Sequence, residues 1–95
     1  MNELEPNESV LTGQWVMEGN RVVADETCQR IEWLVTSRLE RLEKDGSGWE
    51  TLYRNPRDGR LWEHTYPQGA MHGGGPPELH VISSDVAAGK YGIAT

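Results

Sequence analysis

Gly73-Gly74-Gly75-Pro76-Pro77 is the stretch that most narrows what this chain can fold into. Three successive glycines lose too much chain entropy to be held in a helix or strand. Two prolines lack the backbone N–H that a ladder needs. The loop this forces, over residues 68–77, follows a run that reads as a β-hairpin. Residues 49–54 alternate in side-chain character, Asn55-Pro56-Arg57-Asp58-Gly59 is a turn cluster, and residues 61–66 are a second run of strand formers.

The segments before the hairpin are shorter and more varied. Residues 1–9 are polar and acidic (Glu3, Glu5, Glu8) and read as a frayed or loosely pinned arm. Gln14-Trp15-Val16-Met17 and Arg21-Val22-Val23 flank Glu18-Gly19-Asn20, which predicts a first hairpin. Asp25 can cap a helix, with Glu26 in its first turn, and Asp45-Gly46-Ser47-Gly48 would stop it, so the expected helix runs to about Lys44. Cys28, Ile31, Leu34, Val35, Leu39 and Leu42 recur at spacings of three and four and form its apolar face. Glu26 with Arg30 and Glu40 with Lys44 would be favourable pairs four apart. After the loop, Leu79-His80-Val81-Ile82 reads as one more strand and residues 85–88 as a helical turn ended by Gly89. Residues 89–95 read as a tail.

The expected fold is α+β: one domain over residues 1–95, in ββ-α-ββ-β order. A mostly antiparallel sheet of four to five strands carries one long helix on one face. At 95 residues the chain suffices for one modest core. It has no apolar run long enough to cross a membrane, and its first residues lack the basic and apolar segments of a secretory signal, so the cytoplasm is expected. Cys28 is the lone cysteine and cannot form an internal disulfide. The net charge of -6 argues against nucleic acid as a partner and is compatible with a basic protein.

No complete catalytic motif occurs. Met71-His72-Gly73-Gly74-Gly75 has the make-up of an esterase oxyanion loop, yet the G-x-S-x-G elbow that chemistry needs is missing. A phosphate loop would open a helix, whereas prolines and a strand follow here. His64, His72 and His80 are evenly spaced, and with Glu63 or Glu78 they could converge on a metal, but the spacing matches no compact metal motif. Glu63 and His64 are neighbours on a strand and point to opposite faces, so they cannot act as an acid–base pair. No cofactor or bound metal is expected, and a small hydrolase or metal protein using His64, His72 and Glu63 is the alternative reading.

One helix can hardly bury seven aromatic residues, so some of Trp49, Tyr53, Trp62 and Tyr66 should stay exposed among Glu50, Arg54 and Glu63. That mixture is typical of an interface, though a second small core under the glycine loop would account for it equally. Trp33 lies off the helix's apolar face. Either the arm or tail folds over it, or it anchors a partner.

The ordered segments Leu11-Thr12-Gly13-x-Trp15-Val16, Asp25-Glu26-x-Cys28-x-Arg30-Ile31-Glu32-Trp33-Leu34, Gly48-Trp49-Glu50-Thr51-Leu52-Tyr53, Asp58-Gly59-Arg60-x-Trp62-Glu63, Thr65-Tyr66-Pro67 and Met71-His72-Gly73-Gly74-Gly75-Pro76-Pro77 carry a resemblance. Over roughly residues 11–83 the chain resembles a family of immunity proteins from bacterial polymorphic toxin systems, the one numbered twenty-seven. The resemblance implies a small intracellular antidote, not an enzyme, that binds a cognate toxin protein. A nuclease with a basic cleft is one such target. The expected binding surface comprises Glu32, Trp33, Glu50, Tyr53, Trp62, Glu63, Tyr66 and His72, on a monomer or weak dimer. An interaction module unrelated to toxins is the remaining possibility.

Overall fold

A computed structural model describes residues 1–67 and 75–93. The strands are β1 (Val10–Thr12), β2 (Trp15–Glu18), β3 (Arg21–Ala24), β4 (Glu40–Lys44), β5 (Thr51–Arg54), β6 (Leu61–Thr65) and β7 (Glu78–Ile82). Helix α1 spans Glu26–Ser37 and α2 spans Ser84–Tyr91. Five strands form one antiparallel sheet in the order β1-β7-β6-β5-β4, while β2 and β3 form a separate two-stranded ribbon. The fold is α+β, as expected, and both expected hairpins form.

Helix α1 begins where its capping residue requires. The Asp25 carboxylate accepts the Cys28 N–H at 2.9 Å, satisfying a donor the first turn leaves free. The helix does not reach Lys44. It ends at Ser37, because Val35 and Thr36 lose side-chain freedom in a helix and the Thr36 hydroxyl donates back to the Glu32 carbonyl at 2.7 Å. The Arg38 and Leu39 N–H groups both donate to the Leu34 carbonyl, and the chain turns into β4. Leu39 and Leu42, three apart, then fall on opposite sides of the sheet: Leu39 packs with the first core cluster and Leu42 with the second. The two helix-type charge pairs dissolve accordingly. Glu40 accepts both contacts from Arg54 across the β4–β5 ladder, at 2.9 and 3.0 Å, and Arg30 turns to Glu8.

The sheet is covered on both faces rather than one. Tyr53 pairs in register with Trp62, and Trp62 with Val81, so these side chains share a face. There Ile31 and Leu34 of α1 meet Leu11, Tyr53, Trp62 and Leu79. On the other face, Ala87 and Tyr91 of α2 pack on Leu52 and Leu61. The segment read as a tail therefore begins inside a helix. Gly92, at φ 69°, caps α2 in the left-handed conformation that glycine adopts without strain, so Gly89 is not the stop.

The N-terminal arm is tied down. Leu4 is only 6% exposed and belongs to the α1-side core. Arg30 grips the Glu8 carboxylate with two bonds of 2.7 and 2.8 Å and also donates to the Asn2 and Glu3 carbonyls. Arg60 donates to the carbonyls of Glu5 and Glu8 and lies 5.0 Å over the Trp62 ring. The hydrogen bond from Arg30 is the main reason the Glu8 carboxyl is held down at about 2.

Candidate functional site

The α2 side carries a chain of polar side chains centred on Glu63. Glu63 and His80 are register partners on β6 and β7, and His80 Nε2 lies 2.8 Å from Glu63 Oε1. The other ring nitrogen lies 2.9 Å from Glu78, whose second oxygen meets the Thr12 hydroxyl. Helix α2 supplies the rest: the Tyr91 hydroxyl donates to Glu63 Oε2 at 2.7 Å, and Lys90 Nζ lies 2.6 Å from the same oxygen while also bonding Glu50.

This cluster is built to hold charge in place. Burial alone would raise the Glu63 carboxyl, but bonds from Lys90, Tyr91 and His80 and the Lys90 charge outweigh it and hold Glu63 below the usual carboxylate value. Burial would likewise lower Lys90, and Glu50 and Glu63 reverse that and raise it. Burial and the Glu63 bond push the Tyr91 phenol far up. A general acid or base works best with a pKa near the working pH. Glu63, Lys90 and Tyr91 all move away from neutrality, which is the signature of a clamp between α2 and the sheet.

The histidines do not converge. His64 lies on the α1 face between the rings of Tyr53 and Tyr66, at centroid distances of 6.3 and 5.2 Å, and burial lowers its pKa. His80 lies on the opposite face, and His72 is outside the described residues. Among the described residues, no three His, Cys, Asp or Glu side chains are grouped to hold a metal ion. Cys28 is buried, and that burial pushes its thiol up, so no activated nucleophile sits there. A cleft of about 610 Å³ at the β5–β6 turn is walled by Leu42, Leu61, Ile82 and Ile93. The two arginines at its rim are already paired, Arg54 with Glu40 and Arg60 with Asp58.

The expected binding residues scatter. Trp62 is wholly buried and its indole N–H finds no acceptor among the described residues. Tyr53 and Glu63 are buried as well, and Glu50 is engaged by Lys90. Trp62, Tyr53 and Glu63 are thus part of the interior, and Glu50 is tied to α2. Trp33 is half-buried against the cluster containing Leu4, with the Arg38 guanidinium 4.9 Å over its ring. Glu32 and Tyr66 remain exposed.

Glu32 and Tyr66 meet in a second cleft, of about 460 Å³, which the sequence did not single out. Trp15 and Ala24 of the ribbon form one wall, Cys28, Glu32 and Val35 of α1 another, and His64 and Tyr66 the floor. The ribbon stands at this place because Gly13 sits hard against Cys28 and Pro77, where an added methyl would come within 2.6 Å of the Cys28 sulfur, and its N–H donates to the Pro77 carbonyl. Among the described ion pairs, none uses Glu32, or Glu18 and Glu26, which line a separate cleft on the ribbon's other face.

Neither a curated protein nor a solved structure matches the chain. No helix among the described residues is long and apolar enough to cross a membrane. The profile of one family, described as immunity protein 27, matches residues 17–83, from the ribbon through β7. That match runs over most of the chain and agrees with the order of motifs in the sequence, and on it the protein belongs to the immunity protein 27 family.

Proposed function

We propose that this protein silences one cognate toxin domain by stoichiometric binding, without chemistry of its own, acting in the cytoplasm as a monomer. Membership of the family implies a toxin protein as the partner. The target best matched to this chain carries a basic surface, as the substrate cleft of a nuclease does, because a negative field speeds encounter with a positive one and discourages wrong partners.

The observation that carries this reading is the acidic excess together with carboxylates of α1 and the ribbon that enter none of the described ion pairs. The net charge is -6. On the α2 side Glu50, Glu63 and Glu78 are all engaged by Lys90, Tyr91 or His80. Near the ribbon and along α1, Glu18, Glu26 and Glu32 are left uncommitted among the described residues, free to meet a partner's lysines and arginines. Co-expression tests the reading. The toxin encoded beside this chain should be harmless to cells that also make it, and cell death in its presence would refute the proposal.

A further inference from the structure

We infer that the toxin docks on one end of the α1 face, where the β2–β3 ribbon, the adjoining cleft and Trp49 together present an apolar surface with an acidic border. This rests on the antidote reading above and adds the place and the character of the contact.

Exposed apolar side chains concentrate there. A two-stranded ribbon outside the main sheet has little of its own to bury, and this one leaves Met17 65% and Val22 59% exposed. Met17 and Val22 are cross-strand partners, as are Trp15 and Ala24, and by alternation all four lie on one face of the ribbon. Since Trp15 and Ala24 wall the cleft, Met17 and Val22 extend that wall outward. Tyr66 closes the cleft on the sheet side and is 38% exposed. The β5–β6 ladder ends at Thr51 opposite His64, so the chain at Trp49 leaves the sheet at the same end as Tyr66; Trp49 is 66% exposed. Methionine, tryptophan and tyrosine are the side chains from which interface anchors are made.

The border fixes the occupant. Glu32 lines the cleft itself and takes part in none of the described ion pairs, while Glu18 stands at the ribbon tip on its other face, across from Arg21. Phosphate chains and anionic lipid headgroups would be repelled, and so would the same acidic face of a second copy. A protein surface that sets lysine or arginine around a protruding apolar side chain is complementary in both respects.

The probe is the toxin domain encoded beside this chain, purified in an inactivated form and titrated calorimetrically. Wild type should bind one to one, with an association rate that falls as salt rises. Met17→Asp with Val22→Asp should weaken binding by at least ~30-fold, as should Trp49→Ala with Tyr66→Ala. Val86→Asp, on the exposed side of α2, should stay within about threefold of wild type. Glu32→Lys should weaken binding while circular dichroism is unchanged, which guards against a ribbon variant that fails to fold. Tight binding by the folded ribbon variants would overturn this surface and leave the antidote reading intact, whereas a wild-type chain that ignores the toxin would overturn both. A wild-type dimer broken by the ribbon substitutions, or ribbon variants that lower Tm without lowering affinity, would assign the surface to a second copy or to the chain itself and overturn the inference too.

Discussion

The carboxylates gathered around Glu63 and the Glu32 carboxylate of the ribbon cleft are used in opposite ways. On the α2 face, Glu63, Glu78 and Glu50 are each fastened to a cation or a donor, and the cluster binds the last helix to the sheet. At the ribbon end of the α1 face, Glu32 lines the cleft with exposed Tyr66, near exposed Met17 and Val22, and has no partner in the described ion pairs. Chemistry-bearing residue types therefore mark the structural clamp here, and the blander cleft is the region with exposed apolar side chains.

The contrast breaks most readily at Glu63. Glu63→Ala leaves Lys90, His80 and Tyr91 facing a hole and should cost about 3–5 kcal/mol in urea unfolding. A loss under about 1 kcal/mol would mean that the cluster is not a clamp and that its face is available for other work. The arm comes next. Leu4→Ala should cost about 2–4 kcal/mol, because Leu4 is core rather than trailing chain; a neutral result would restore the frayed arm. Gly13→Ala should cost about 1–3 kcal/mol, since the new methyl meets the Cys28 sulfur and the Pro77 carbonyl.

Acid sharpens the comparison further. The Glu8 carboxyl sits at about 2 in the fold against the ordinary 4.5. A depressed folded value stabilises above the unfolded pKa, and that contribution fades as pH falls from about 4.5 towards 2. Glu8→Gln should remove about 1 kcal/mol at pH 7 after allowance for solvent screening, and the acid limb of a Tm-versus-pH curve should flatten. The smallest effect belongs to the open side. Met17→Ala with Val22→Ala should change stability by no more than about 0.5 kcal/mol, as befits side chains that support nothing within the chain.

Much of the architecture was legible because its signals are local. Asp25 three residues before the Cys28 amide, the turn clusters at 18–20 and 55–59, and the alternation along β5 and β6 each depend on a few neighbouring residues. The errors arose where distant contacts decide. Leu39 and Leu42 fit a helical stripe, and only pairing with β5 sends them to opposite faces. Leu4 stands alone between Glu3 and Glu5 and makes no pattern, although Arg30 and Arg60 strap its segment to the core. Strand β1 is three residues long and is a strand only because β7 lies beside it. Gly89 and Gly92 are equivalent as letters, and the positive φ of Gly92 tells them apart. The burial of Glu63 follows from Lys90 and Tyr91, which lie in a segment that reads as tail. Alternation did place Glu63 and His64 on opposite faces, but a fold with one helix left the Glu63 face to water.

Hydrogen exchange of the protein alone and in complex with its toxin tests the central claim most directly, since it reports where the partner lies without altering a residue. The account predicts slowed exchange over β2, β3 and residues 49–50 with β7 and α2 unchanged. Protection confined to β7 and α2 would contradict it, because it would place the toxin on the face held by the Glu63 cluster.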